Sequence, residues 1–257
     1  MMPFPDIFPV PLIHINETNS TNNYLQSLCS KQKMEELTVV VADFQTSGRG
    51  QRGNSWESDP GKNLLFSTVI FPEFLEARRQ FLISQIISLA IKEELDTYTS
   101  DISIKWPNDI VINGKKICGI LTEMSAQFDY INHIVIGIGI NVHNESFPEE
   151  LQDHAGSLLL ECGKRVHRAD LIEAFLEEFE RLYAIYLQTE DLSALQEEYD
   201  QLLVNRGRQV RVLDPKEPFE GKAMGITKKG ELIVDTWESR KLVSSGEVSV
   251  RGIYGYV

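Results

Sequence analysis

The run Gly48-Arg49-Gly50-Gln51-Arg52-Gly53-Asn54-Ser55-Trp56 places two guanidinium groups among three glycines. Guanidinium is planar, permanently charged and suited to two-point contact with a carboxylate or a phosphate. Glycine lets the backbone take positive φ and come close to a ligand. The chemistry offered is the gripping of a small anion by a lid, with Trp56 supplying an aromatic face for a flat heterocycle. A solvated hairpin tip, pinned to the core by Trp56, accounts for the same residues.

Three further segments carry reactive or polar groups. In Lys105-Trp106-Pro107-Asn108-Asp109 the Trp-Pro pair favours extended backbone at a strand end, which sets Asn108 and Asp109 at an exposed edge. Beyond the Asn113-Gly114 turn, the return strand brings Lys116 beside that edge. Its compact ammonium can follow a phosphate through a reaction, making it a candidate electrostatic catalyst. A bare hairpin tip explains Lys115 and Lys116 but not Asn108-Asp109. Ser20-Thr21-Asn22 either caps a helix or lines the polar end of a pocket. In Gly137-Ile138-Gly139-Ile140-Asn141, glycines within an apolar strand suggest something flat lying against the backbone. The last run is not a dinucleotide fingerprint, since no third glycine opens a helix after it.

These groups need a rigid frame. Strands are expected at Thr38–Phe44 and Leu64–Ile70, and a long helix between Glu76 and Tyr98, where apolar residues recur at helical spacing. Ile102–Trp106, Ile110–Ile112 and Lys115–Met124 read as strands, with Asn113-Gly114 the strongest hairpin signal in the chain. Another buried strand is expected at Ile131–Val142, and helices at Ala169–Gln188 and Leu192–Val204. A helix should follow Asn22, whereas Pro3, Pro5, Pro9 and Pro11 imply an extended lead along the surface. Near Asn205 the character changes. Short strands at Gln209–Leu213, Phe219–Thr227, Glu231–Thr236, Arg240–Val243 and Val248–Gly252 suggest a small β-barrel of the SH3 type. The expected domains are therefore 1–204 and 205–257.

Composition narrows the function. A net charge of −13 over 257 residues argues against general nucleic-acid binding, which needs a basic surface. Positive islands around Arg49, Arg52 and Lys62 and around Lys105, Lys115 and Lys116 suit a small anion instead. Cys29, Cys118 and Cys162 are odd in number and widely spaced, which fits a reducing cytoplasm rather than disulfides or zinc. No apolar run is long enough for a membrane span, and Met1 to Asp6 lacks the basic start of a signal peptide.

Taken in order, the four segments resemble the biotin–protein ligases, or biotin–[acetyl-CoA-carboxylase] ligases, through GRGxRGxxW, KWPNDI, KKxxGIL and GxGxN. The likeness runs from about Asn19 to the end of the chain. It implies an α+β fold: a class II aminoacyl-tRNA synthetase-like catalytic domain, with a mixed sheet and helices, followed by a small SH3-like barrel. It implies a ligase that joins biotin and ATP into biotinyl-5′-AMP and pyrophosphate, then passes biotin to a lysine of a carboxylase's biotin carrier domain. Mg²⁺ would neutralise the leaving pyrophosphate.

The resemblance also implies roles. Ser20, Thr21, Asn22 and Gln45 would contact biotin, Gly119 and Gly137 would line the rest of its slot, and Gly50 and Gln51 would lie beside it. Arg49 and Lys116 would bind the carboxylate and α-phosphate and, with Asp109, carry the catalysis. Arg52, Trp56, Asn108 and Asn141 would complete the adenylate site. Asp109 would position Mg²⁺ or the incoming amine. Relatives commonly have GRGRRGR where this chain has Gln51 and Asn54, so two arginines that help hold the adenylate are replaced. The glycine-rich loop is expected to order over ligand. The runner-up is a lipoate-type acyl protein ligase, whose substrate lacks the ureido group. Site motifs beginning at Ser20 leave no room for the DNA-binding domain some relatives carry, so no nucleic-acid partner is expected. A monomer or a homodimer is compatible with the family.

Overall fold

The computed structural model describes residues 4–5, 7–72, 75–127, 130–245, 249–253 and 256–257. Pro3 and Val248, assigned above to the extended lead and the last strand, lie outside the described residues.

Val39, Val40, Val41 and Ala42 are all buried, the mark of a strand covered on both faces. This strand, β2 (Val39–Gln45), runs parallel to β1 (Leu12–Thr18) and antiparallel to β3 (Asn63–Ile70). Four more strands complete the sheet: β4 (Ile102–Lys105), β5 (Asp109–Ile112), β6 (Lys115–Gln127) and β7 (Tyr130–Asn141). The seven strands lie in the order β1-β2-β3-β7-β6-β5-β4. Asn113 (φ 52°) and Gly114 (φ 76°) both take left-handed backbone, as a tight two-residue hairpin requires.

The sheet's two faces are covered unequally. On one side, Val39, Val41 and Phe66 join the main core with α2 (Gln80–Leu95) and α4 (Arg168–Thr189). On the other, Val40, Val69 and Val135 form a smaller cluster with Leu25 of α1 (Thr21–Lys31), against which Leu28 and Cys29 of the same helix also pack. A single short helix cannot roof a sheet this wide. The cavity described below forms on the α1 side.

Two differences from the sequence reading have local causes. The proline-rich lead gives way after Pro11 to a true strand, β1, whose residues are mostly half-buried or exposed because it is a sheet edge. The helix expected over Leu192–Val204 shortens to α5 (Gln196–Leu202). The Asp191 carboxylate accepts the Ser193 N–H at 2.9 Å, a side-chain turn that competes with helix start. A further short helix, α3 (Leu158–Cys162), was not foreseen; Ser157 caps it by accepting the Leu160 N–H at 3.1 Å.

The second sheet is antiparallel throughout: β8 (Gln209–Leu213), β9 (Phe219–Ile226), β10 (Leu232–Asp235), β11 (Arg240–Val243) and β12 (Ser249–Gly252), in the order β11-β10-β9-β8-β12. In β8 Val210 and Val212 are buried while Gln209, Arg211 and Leu213 face out, the two-residue period of a half-buried strand. Polar contacts tie the turn between β9 and β10 to α2 and to Trp106 after β4, and tie α5 to Pro107. The Gly230 carbonyl accepts from Gln85 Nε2 at 2.8 Å and from Trp106 Nε1 at 3.1 Å. Tyr199 of α5 donates to the Pro107 carbonyl at 3.0 Å. The Trp106 and Tyr199 contacts support the segment that carries Asn108 and Asp109.

Candidate functional site

Strand register builds the floor of the site. Leu65 of β3 faces Gly139 of β7, Gly139 faces Gly119 of β6, Gly119 faces Asp109 of β5, and Asp109 faces Lys105 of β4. Residues directly opposed in a sheet share a face. The row therefore runs across a glycine floor to a carboxylate and an ammonium. A neighbouring row on the same face joins Ser67, Gly137 and Leu121.

The glycines are required by what lies on them. A Cβ on Gly139 would meet the Trp56 ring at 2.7 Å, and one on Gly119 would meet it at 2.8 Å. A Cβ on Gly137 would fall 2.2 Å from Asn22 Oδ1. The flat object expected against Gly137–Asn141 is thus partly the protein's own indole. The Trp56 Nε1–H is buried without a partner among the described residues, which leaves a donor for a bound heterocycle.

Lys116 reaches this face through a backbone irregularity. Ile110 pairs with Cys118, but Val111 pairs with Lys116, so Ile117 is an extra residue in β6. A bulge of this kind re-aims the side chain beside it. Lys116 then lies on the side of Val111 and Asp109, with its Nζ 2.6 Å from Asp109 Oδ1. Lys105 Nζ is 3.9 Å from Oδ2 of the same carboxylate, which also accepts the Tyr256 hydroxyl. Burial pushes the Asp109 carboxyl up, but Lys116, Lys105 and the hydrogen bonds from Lys116 and Tyr256 outweigh it and hold it below the ordinary carboxylate value. Burial drives the Lys105 ammonium down to about 8, with Lys116 and Arg251 adding to the effect and Asp109 opposing it.

The glycine-arginine loop is a small hairpin. Gly50 N donates to Asn54 O at 2.7 Å and Trp56 N to Gly48 O at 2.9 Å. A 3-10 turn at Gln51–Gly53 closes it, with Arg52 at φ 59° and Gly53 at φ 76°. Its residues Arg49 to Trp56, Gly53 apart, also line the cavity. Arg49 is half-exposed and pairs with Glu123 at 2.6 Å and with Asn23 Oδ1 at 2.7 Å.

At the other end the polar residues form a connected set. Gln45 Oε1 accepts from the Thr21 backbone N–H at 2.7 Å and from its hydroxyl at 3.0 Å. Ser67 Oγ lies 2.7 Å from Thr21 Oγ1 and 2.6 Å from Asn22 Oδ1. Asn22 Nδ2 donates to Glu123 at 2.8 Å. Ser20 precedes α1 but makes no side-chain cap bond, so its buried hydroxyl serves the cavity wall rather than the helix end.

The resulting cavity, about 160 Å³, is lined by Ser20, Thr21, Asn22, Gln45, Arg49, Gly50, Gln51, Arg52, Trp56, Asn108, Asp109, Lys116, Gly119 and Gly137. Asn141 is not brought there. Its side chain accepts from Asn63 at 2.8 Å and donates to the Gly156 carbonyl at 2.9 Å, which makes it a strut beside the floor on the same face. The Trp106-Pro107 segment is also not extended as expected, but a turn with a cis bond. The Asp109 oxygens are engaged by two ammonium groups and a hydroxyl. Sequence reasoning missed Glu123, Ser67 and Tyr256. Two-residue periodicity from Gly119 could have found Glu123; Ser67 follows only from the β3–β7 register, and nothing in the sequence points to Tyr256.

Known proteins match this arrangement. The Biotin/lipoate A/B protein ligase family matches residues 15–141, and the biotin protein ligase C terminal domain matches residues 207–251. The Bifunctional ligase/repressor BirA of Bacillus subtilis is 35% identical over 244 residues, covering 93% of this chain and 74% of that protein. The chain belongs to the biotin–protein ligase family. The Biotin--[acetyl-CoA-carboxylase] ligase of Mycobacterium tuberculosis is 27% identical over 240 residues, covering 91% of this chain and 86% of that one. Among solved structures, the biotin protein ligase from Aquifex aeolicus in complex with biotin and ATP superposes with a TM-score of 0.82 at 29% identity, over 94% of this chain and 99% of the other. The α+β architecture of this biotin–protein ligase, a mixed sheet with helices followed by a small antiparallel sheet, is thus that of its relatives.

Proposed function

We propose that this ligase activates biotin with ATP and transfers it to a lysine of a carboxylase's biotin carrier domain. The observation that carries the reading is the register row itself. A glycine floor under an indole leads directly to Lys116 and Asp109, while donors and acceptors for a ureido group cluster at Ser20, Thr21, Asn22 and Gln45.

In the first step a biotin carboxylate oxygen bonds to the α-phosphorus of ATP, the bridge to the β-phosphate breaks, and pyrophosphate leaves. Lys116 and Arg49 supply positive charge where negative charge grows. In the second step a lysine amine bonds to the biotinyl carbonyl carbon, the bond to the phosphate oxygen breaks, and AMP leaves with the electron pair. Trp56, Asn108 and Arg52 line the place of the nucleotide. Magnesium entering with ATP would neutralise the charge of the leaving pyrophosphate.

The polar end favours biotin over lipoate, because Ser20, Thr21, Asn22 and Gln45 line it with hydrogen-bonding groups that a ureido group can engage and a dithiolane ring cannot. The acidic net charge of −13 supports a protein acceptor without nucleic acid, and three unpaired cysteines support a reducing cytoplasm. Among the described residues no helix is long and apolar enough to cross a membrane. Incubation with biotin, MgATP and a biotin carrier domain should add one biotinyl mass to the carrier's lysine. No gain with biotin, or an equal gain with lipoate, would overturn the reading.

A further inference from the structure

Tyr256 belongs to none of the four motifs, yet it touches the site's carboxylate. Its hydroxyl donates to Asp109 Oδ2, and its ring lies 3.9 Å from Lys105 Nζ. The segment is held on both sides. The His154 ring is 5.9 Å from the Tyr256 ring, and Val257 Cγ2 packs 3.4 Å from where a Cβ on Gly114 would stand. Tyr256 follows β12, so a residue supplied from beyond the small sheet closes the edge of the catalytic one.

The contacts divide the work of the carboxylate. Oδ1 takes Lys116 at 2.6 Å, while Oδ2 takes Tyr256 and, at 3.9 Å, Lys105. A buried ammonium is costly unless paired. Lys105 is compensated by Asp109 and by the face of the Tyr256 ring, a cation–π contact. Lys116 is the more exposed lysine and is free to turn to a phosphate, which would release Oδ1 toward the cavity.

The geometry points to Tyr256 as a positioning residue for the transfer step: it fixes Asp109 by Oδ2, so that Oδ1 receives an N–H of the incoming lysine amine once Lys116 has engaged the adenylate. This rests on the function proposed above. The amine nitrogen bonds to the biotinyl carbonyl carbon, the carbonyl–phosphate oxygen bond breaks, AMP leaves with the electrons, and the surplus amine proton passes to solvent. Tyr256 keeps its own proton throughout. The titratable groups facing Asp109 are Lys105 of β4, Lys116 and Cys118 of β6, Tyr199 of α5 and Tyr256, with Arg251 of β12 acting on Lys105 and Tyr256. The tyrosine hydroxyl favours the ionised carboxylate, so its removal should move the acid limb of transfer to higher pH.

The test separates the half-reactions in Tyr256→Phe, which keeps the ring over Lys105. Biotin-dependent pyrophosphate exchange reads activation; single-turnover reaction of preformed biotinyl-AMP with a carrier domain reads transfer. Transfer should fall about tenfold more than exchange, the scale of one hydrogen bond to a charged group, with its acid limb shifted upward. A second variant, Tyr256→Leu, loses the ring as well and should slow both half-reactions. Equal losses in the two half-reactions of Tyr256→Phe, or wild-type transfer with an unmoved acid limb, would overturn the proposal. If the wild-type protein shows neither half-reaction, the function itself fails and the tyrosine's role goes with it.

Discussion

Lys116 stands over Asp109, Nζ to Oδ1 2.6 Å, because one extra residue, Ile117, separates the partners of Ile110 and Val111. In an unbroken ladder Lys116 would point to the opposite face of the sheet, into the core where Ile117 now lies fully buried. The bulge exchanges the two, so the apolar residue fills the core and the cation enters the site.

Removing that cation should disable activation. Lys116→Ala should lower biotin-dependent pyrophosphate exchange by about two to three orders of magnitude, the usual loss when a group stabilising developing charge is deleted. Lys116→Arg keeps charge but not the compact ammonium and should recover only part of the rate. Wild-type exchange in the alanine variant would remove Lys116 from the chemistry.

The floor glycines make a second prediction. An added methyl at Gly139 meets the Trp56 ring at 2.7 Å and one at Gly137 meets Asn22 at 2.2 Å. Gly139→Ala should therefore displace the indole and weaken nucleotide binding, while Gly137→Ala should weaken biotin binding, each by an order of magnitude or more. Overpacking of this kind costs about 1–3 kcal/mol, so both proteins should still fold. Calorimetric titration of each variant with biotin and with ATP would show whether the two effects separate as stated.

Much of this site was legible because its residue types are incompatible with a bland role. Gly137 and Gly139 interrupt a buried strand, and Asn108-Asp109 has no reason to sit at a plain hairpin tip. What remained hidden was of two physical kinds. The side-chain direction of Lys116 depends on a bulge, and alternation read from sequence would have placed it wrongly. Glu123 and Tyr256 enter through pairing and packing with Arg49, Asn22 and Asp109, from positions up to 147 residues away. Asn141, a polar residue ending a glycine-marked strand, was expected to meet the adenylate, and its amide is paired with Asn63 and Gly156.

Lys105 predicts a pH dependence. Its ammonium loses its proton at about 8 in the folded protein, far below the usual lysine value of about 10.4. Between those values the unfolded chain binds a proton that the native state has released. This residue's contribution to stability therefore rises with pH across that window. Activity should follow the opposite course, because a neutral Lys105 no longer anchors the Asp109 carboxylate through Oδ2. Exchange rates should decline above about pH 8, and Lys105→Arg should push that limb upward. An alkaline limb that stays put in the arginine variant would assign it to another group.

Gln51 stands where the resemblance implies an arginine, and the structure gives it a place. Gln51 opens the 3-10 turn of the lid. With Arg52 and Leu121 it lines both the site cavity and a neighbouring cavity of about 350 Å³ that reaches Gln80, Ser84 and Ser245. It thus stands at the seam through which an anionic intermediate would escape. Arg49, Lys116 and the hairpin's own hydrogen bonds remain to hold biotinyl-AMP, so the wild-type protein should retain it without an acceptor. Gln51→Arg adds a cation at the seam and should slow release several-fold further, while Gln51→Gly should speed it. Filter trapping of the complex formed from biotin and labelled ATP, chased with unlabelled substrates, reads these rates directly. Identical release from all three proteins would show that the seam does not control retention, and that the two cationic contacts deeper in the site are sufficient on their own.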